Sequence, residues 1–238
     1  MTVKYVFFDL DGTLLPMDHQ LFSKEYFSLI TKKFVPFGYD PMSLASSIQN
    51  SIAAMVANQG DSSNETVCWK ALVKGLGEEI LGHKSIFDEF YQNNFDLLKD
   101  TCGYDQRAAK AVKYLRSIGI KLVLATNPLF PSIATQKRIE WAGLSADDFE
   151  YITVYENSHF SKPNPRYYKE IIETLHLNSN EVIMVGNDVE EDMVASTLGM
   201  RTFLVTDHVI NRNNIDVSIY TSGSLDDLLD YINSEVAK

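Results

Sequence analysis

Five short runs of apolar, β-forming residues constrain this 238-residue chain more than any other feature. They lie at 4–8, 121–125, 151–154, 182–185 and 202–205, with scarcely a polar side chain among them. A strand with one wet face alternates apolar and polar residues. An unbroken run needs both faces covered, which points to a parallel sheet inside an α/β protein. Helical patterns separate the later runs. Residues 105–118 put Ala108, Ala109, Val112, Leu115 and Ile118 on one stripe, and Gly119 stands where a helix C-terminal glycine belongs. Residues 131–142 lie between Pro131 and Gly143, and residues 165–176 open on Asn164-Pro165, an N-cap followed by proline. Residues 189–198 follow Asp188, with Glu191 at capping-box spacing and Gly199 at the end, and residues 225–234 follow Ser224. This alternation predicts an α/β fold, a Rossmann-like parallel sheet with right-handed crossovers.

The first crossover is anomalous. About 110 residues lie between Phe8 and Lys121, where a βαβ unit needs about 30. Residues 19–98 read as all-helical: Leu21, Phe22, Phe27 and Ile30 recur at helical spacing, as do Leu44, Ile48, Ile52 and Met55. The reading divides the chain into an α/β core (1–15 and 100–238) and an inserted all-helical cap (16–99), hinged near Pro16 and Gly103.

Composition excludes several classes. With 45% hydrophobic and 22% charged residues the chain is neither disordered nor fibrous. No apolar run nears the roughly 18–20 residues of a membrane helix, so no membrane partner is expected. A net charge of −11 argues against nucleic acid as a partner. The two cysteines, Cys68 and Cys102, have no disulfide or zinc spacing, which suits a cytoplasmic protein.

Ligands of an open parallel sheet bind beyond the carboxyl ends of its strands. Asp9, Asp11, Gly12 and Thr13 follow the first run, and Thr126 and Asn127 the second. Glu156, Ser161 and Lys162 follow the third; Gly186, Asn187 and Asp188 follow the fourth, with Asp192 a turn later. Carboxylates crowded on one rim resist ionising together, and a divalent cation removes the conflict. Oxygen donors with few nitrogens favour Mg²⁺ over zinc.

These segments resemble the four motifs of the haloacid dehalogenase-like hydrolases. Asp9-Leu10-Asp11-Gly12-Thr13-Leu14 is similar to the first and Thr126 to the second. Lys162-Pro163-Asn164-Pro165 is similar to the third, and Gly186-Asn187-Asp188 with Asp192 to the fourth. The helical insert matches the subgroup with a cap after the first strand. The resemblance implies a Mg²⁺-dependent phosphatase acting on a small phosphorylated metabolite through an aspartyl-phosphate. Asp9 is then the nucleophile and Asp11, two residues on and on the same side of an extended chain, the acid and base. Asp9, the Asp11 carbonyl and Asp188 hold Mg²⁺. Gly12, Thr126, Asn127 and Lys162 serve the phosphate, and Lys162 also offsets the charge around Asp9. The family carries Asp directly after the motif-four glycine, where this chain has Asn187. Asp188 is therefore assigned to the metal, and Asn187 and Asp192 to supporting places beside it. The sequence leaves open the reverse, with Asn187 or Asp192 at the metal.

Rival readings differ in chemistry. Haloacid dehalogenases and phosphonatases of this family usually lack the second aspartate, so Asp11 argues against both. A sugar phosphomutase, of the β-phosphoglucomutase kind, keeps that aspartate and is the leading alternative. A non-enzymatic phosphate- or metal-binding protein needs no nucleophile and acid/base pair. Glu190 and Glu191 read as favourable charges in the first turn of a helix.

Overall fold

The computed structural model describes residues 3–236. Six parallel strands form one sheet: β1 (Tyr5–Phe8), β2 (Lys121–Leu124), β3 (Tyr151–Ile152), β4 (Val182–Gly186), β5 (Arg201–Val205) and β6 (Ser222–Gly223), in the order β3-β2-β1-β4-β5-β6. The unbroken apolar runs follow from this order. Val6 and Phe8 join one hydrophobic cluster with Leu122, Leu124, Ile183 and Val185, while Phe7 joins another with Val123, Val182 and Met184. The first face packs on α5 (Gln106–Ser117), α6 (Ser132–Trp141) and α8 (Leu225–Val236). The second packs on α7 (Pro165–Thr174), through Tyr167, Tyr168 and Ile171.

β1 sits between β2 and β4, with Phe8 opposite both Leu124 and Val185. The strand order reverses here, and a crevice opens at such a point. The residues just past these three strand ends are Asp9, Ala125-Thr126 and Asn187.

Two expected elements come out differently, and one strand was not expected. β3 is two residues long, because Asn157 accepts from the Val154 N–H and donates to the Ile152 carbonyl, curling the chain away. β6 is too short to leave a periodic signal. Residues 189–198 form turns and a 3₁₀ segment (Met193–Leu198) rather than an α-helix. The reason is local. Asp188 caps the turn, accepting from the Glu190 and Glu191 N–H groups, but Asp192 rather than Glu191 returns a carboxylate to the Asp188 N–H.

Four α-helices precede α5 in the first crossover: α1 (His19–Phe34), α2 (Pro41–Val56), α3 (Asn64–Leu76) and α4 (Lys84–Asn93). They make a helical cap inserted in the α/β core, and its apolar centre is continuous with one face of the sheet. Phe95 is the joint. It is fully buried, and its ring lies 5.3–6.4 Å from those of Phe22, Phe90, Tyr91, Phe130 and Trp141. A polar seam ties the other side. The buried Asn64 amide group lies within reach of the Pro128 and Phe160 carbonyls and the Ser161 hydroxyl, and its carbonyl accepts from Asn58. Among the described residues no helix is long and apolar enough to cross a membrane.

Phe95→Ala is expected to cost about 3–5 kcal/mol. Because Phe95 packs on both units, urea melts of the variant should shift as one transition. Two separated transitions, only one of them shifted, would contradict a shared core.

Candidate active site

At the end of β1 the Asp9 N–H donates to the Val185 carbonyl, fixing the residue over the crevice. The Lys162 ammonium donates to Asp9 Oδ1 at 2.8 Å, and the Thr13 hydroxyl lies 3.2 Å from Oδ2. Lys162 is fully shielded from solvent and sits 2.6 Å from Asp192 Oδ1 as well. Burial alone would push its ammonium down, but the charges of Asp192 and Asp9 outweigh this and hold it well above its usual value.

The loop after Asp9 does not stay extended. The Leu10 carbonyl accepts from the N–H groups of Thr13, Leu14 and Leu15. Gly12 takes φ +94°, and a side chain there would collide with the Asn187 amide. Asp11 nevertheless remains within the field of Asp9 and Lys162. Asp11 turns to α6, where the buried Arg138 guanidinium binds its Oδ2, while Oδ1 is buried with no partner among the described residues. Burial raises the Asp11 carboxyl, against the pull of Arg138. Arg138 also lies over the Phe130 ring, 4.9 Å from its centroid.

The structure brings the other expected residues to the same place. The buried Thr126 is held through its carbonyl, which accepts from the Thr153 hydroxyl at 2.6 Å and the Tyr167 hydroxyl at 2.9 Å. Asn127 spans two loops, accepting from the Lys162 N–H and donating to Glu191 Oε2. Asn187 Oδ1 lies 3.0 Å from the Thr13 hydroxyl, and its amide donates to the His208 carbonyl. Asp188 spends Oδ1 on its turn, and Oδ2 lies 2.7 Å from Arg212.

Sequence reasoning missed Tyr167, Tyr168, Arg138, Glu191 and Arg212. Tyr168 donates to the Glu191 carbonyl. Glu191 is not a solvated first-turn charge; it faces Asn127 and lies within the field of Lys162 and Asp9. The tandem tyrosines in an amphipathic helix beginning three residues after Lys162 were the one available signal.

Among the described residues no three Asp, Glu, His or Cys side chains stand close enough to share a metal ion. The donor chemistry nevertheless suits Mg²⁺, which takes one or two carboxylates and keeps several waters. Asp9 and Asp188 would supply carboxylate oxygens, and the Asp11 carbonyl accepts no backbone hydrogen bond among the described residues. The charge count agrees. Six carboxylates (Asp9, Asp11, Asp188, Glu190, Glu191, Asp192) face three cations (Lys162, Arg138, Arg212), an excess of three negative charges when all are ionised. Burial lifts the carboxyls of Asp188 and Glu191 and brings that of Asp192 to about 7.

The family profile of the haloacid dehalogenase-like hydrolases matches residues 3–196, and the chain belongs to that family. It is accordingly a hydrolase of this superfamily, with a helical cap. No curated protein matches the chain. Its fold is similar to that of a HAD phosphatase from Thermococcus onnurineus (19% identity, 98% of this chain and 99% of that one, TM-score 0.61). YfnB of Bacillus subtilis, solved bound to magnesium, is similar too (20% identity, 98% and 100%, TM-score 0.56). So is L-2-haloacid dehalogenase from Xanthobacter autotrophicus with chloropropionic acid covalently bound (16% identity, 98% and 99%, TM-score 0.57).

The raised Asp192 carboxyl has a measurable consequence. Its folded value is about 7 against an ordinary 3.8, so between those limits the folded protein holds a proton that the unfolded chain has lost. Stability of the metal-free protein should therefore rise, by something of the order of 2 kcal/mol, as the pH falls from about 8 to about 5. Asp192→Asn should remove most of that rise. Denaturant melts across this range check it, and a flat or opposite slope in the unaltered protein contradicts it.

Proposed function

We propose that the chain is a Mg²⁺-dependent phosphomonoesterase acting on a small phosphorylated metabolite through an aspartyl-phosphate. The observation that carries this reading is the environment of Asp9: a carboxylate at the switch point of the sheet, gripped by a buried lysine and a hydroxyl. A purely structural aspartate has no need of a shielded ammonium at a rim where Thr126, Asn127 and Asp188 also converge.

In the first step an Asp9 oxygen bonds to phosphorus and the bond to the leaving oxygen breaks, that oxygen taking a proton from Asp11. Lys162 fixes the nucleophile and offsets the negative charge between it and the phosphoryl oxygens, beside Thr126 and Asn127. In the second step water attacks phosphorus, gives its proton to Asp11, and frees Asp9 and inorganic phosphate. Arg138 occupies only Oδ2 of Asp11, and burial raises the carboxyl, so Oδ1 is the oxygen that would carry the proton. Asp9, the Asp11 carbonyl and Asp188 would hold Mg²⁺, which when bound screens the anionic nucleophile from the anionic substrate. Asn187 and Asp192 support Thr13 and Lys162. Residues 16–99 act as the cap, which excludes water from the first step and selects the leaving group; the seam at Asn64 has to open to admit substrate.

Phosphate release from a generic aryl phosphate should require Mg²⁺ and stop with a chelator. Asp9→Asn should lower kcat by about 10³-fold or more. Undiminished turnover in that variant would exclude Asp9 as nucleophile, and interconversion of sugar phosphates without net phosphate release would favour a mutase.

A further inference from the structure

Asp188 can offer a metal only one oxygen. Its Oδ1 accepts two backbone N–H groups at 3.1 and 3.0 Å, which hold the turn at residues 188–191. The free oxygen, Oδ2, is the one that Arg212 binds at 2.7 Å. An incoming cation therefore meets a cation already in place.

Arg212 is delivered there by design of the backbone. It lies on the connection between β5 and β6, and this segment is zipped to the loop after β4. The Val189 N–H donates to the Ile210 carbonyl, the Ile210 N–H to the Asn187 carbonyl, and the Asn187 amide to the His208 carbonyl. On the far side the Asn213 N–H donates to Glu190 Oε1. The guanidinium between these anchors spans three carboxylates, with Nη1 3.8 Å from Glu190 and Nη2 3.9 Å from Glu191. The two partners differ in freedom. The Asp188 side chain is 8% exposed, whereas that of Arg212 is 53% exposed and can swing into solvent without breaking the fold.

The geometry points to Arg212 as a tethered counter-ion of the metal site: it occupies Asp188 Oδ2 in the metal-free protein and is displaced from it when Mg²⁺ binds. This inference rests on the reading of Asp188 as a Mg²⁺ ligand. It assigns the residue two effects. Arg212 keeps the carboxylate oriented and compensated while no metal is bound, and it weakens Mg²⁺ affinity because its own ion pair has to be broken first. Arginine suits this role because its planar fork reaches Asp188 through one nitrogen and faces Glu191 with the other, which a lysine ammonium cannot do. After displacement the guanidinium stays at the mouth of the crevice, held by its backbone anchors.

Calorimetric titration of the metal-free protein with Mg²⁺ alone tests this. Arg212→Gln should bind Mg²⁺ about fivefold more tightly than the unaltered protein, the scale set by one partly exposed ion pair. Arg212→Lys, which keeps the charge but loses the fork, should fall between the two. Equal affinity in Arg212→Gln overturns the inference. So does tightening in Arg212→Gln with Arg212→Lys unchanged, because charge in the vicinity would then be acting without the contact. If neither the unaltered protein nor Arg212→Gln takes up Mg²⁺, the metal reading itself falls, and the counter-ion role with it. Arg212 is half exposed, so the melt of metal-free Arg212→Gln should fall only slightly, and saturating Mg²⁺ should bring it back to that of the unaltered protein.

Discussion

The structure of this hydrolase turns on one buried ammonium. Lys162 is sealed from water between Asp9 and Asp192, at 2.8 and 2.6 Å. The three residues come from three separate segments, past β1, past β3 and past β4. Removing one partner of a buried ion pair leaves a stranded charge, typically at a cost of about 3–5 kcal/mol. The contact therefore does two jobs. It fastens the loops at the switch point of the sheet, and it fixes the orientation of the carboxylate proposed to attack phosphorus.

The surrounding groups follow from the same constraint. Asp192 is fixed on its other oxygen by the Asp188 N–H and approached by the Tyr168 hydroxyl, so its position is over-determined. That demand is what distorts residues 189–198 away from an α-helix. Asp11 and Asp188 are bound by arginines instead, Arg138 and Arg212. Arg138 is buried and lies over Phe130, whose ring meets Phe22 and Tyr26 of the cap. The proposed acid/base thus shares a chain of contacts with the element that has to move.

Much of this was legible in the amino-acid order, for reasons of periodicity. Strands buried on both faces leave unbroken apolar runs, and five of the six showed. The helical insert was legible because its buried residues, Phe22 and Ile30 or Leu44 and Ile48, recur at helical spacing. Asp9, Thr126, Lys162 and Asp188 stood out because each follows one of the apolar runs, on the rim where the sheet's strands end. The rest depended on distance in sequence. Nothing near Asp11 announces Arg138, 127 residues away, and the local spacing of the two aspartates pointed to an extended chain that Gly12 in fact turns. Glu191 mimicked a capping-box residue, a role that Asp192 took over. Arg212 stands in a connection without periodicity, so only the backbone bonds to the loop after β4 reveal where it goes.

The proposed chemistry predicts that the Asp9 carboxylate is transiently joined to phosphorus, and this can be caught. The protein would be mixed with Mg²⁺ and an aryl phosphate, quenched during turnover, reduced with borohydride, digested and mapped by mass. Reduction of an aspartyl-phosphate leaves homoserine, expected at position 9 and nowhere else. Steady turnover with position 9 unmodified, or with the reduced residue at another aspartate, would contradict the account.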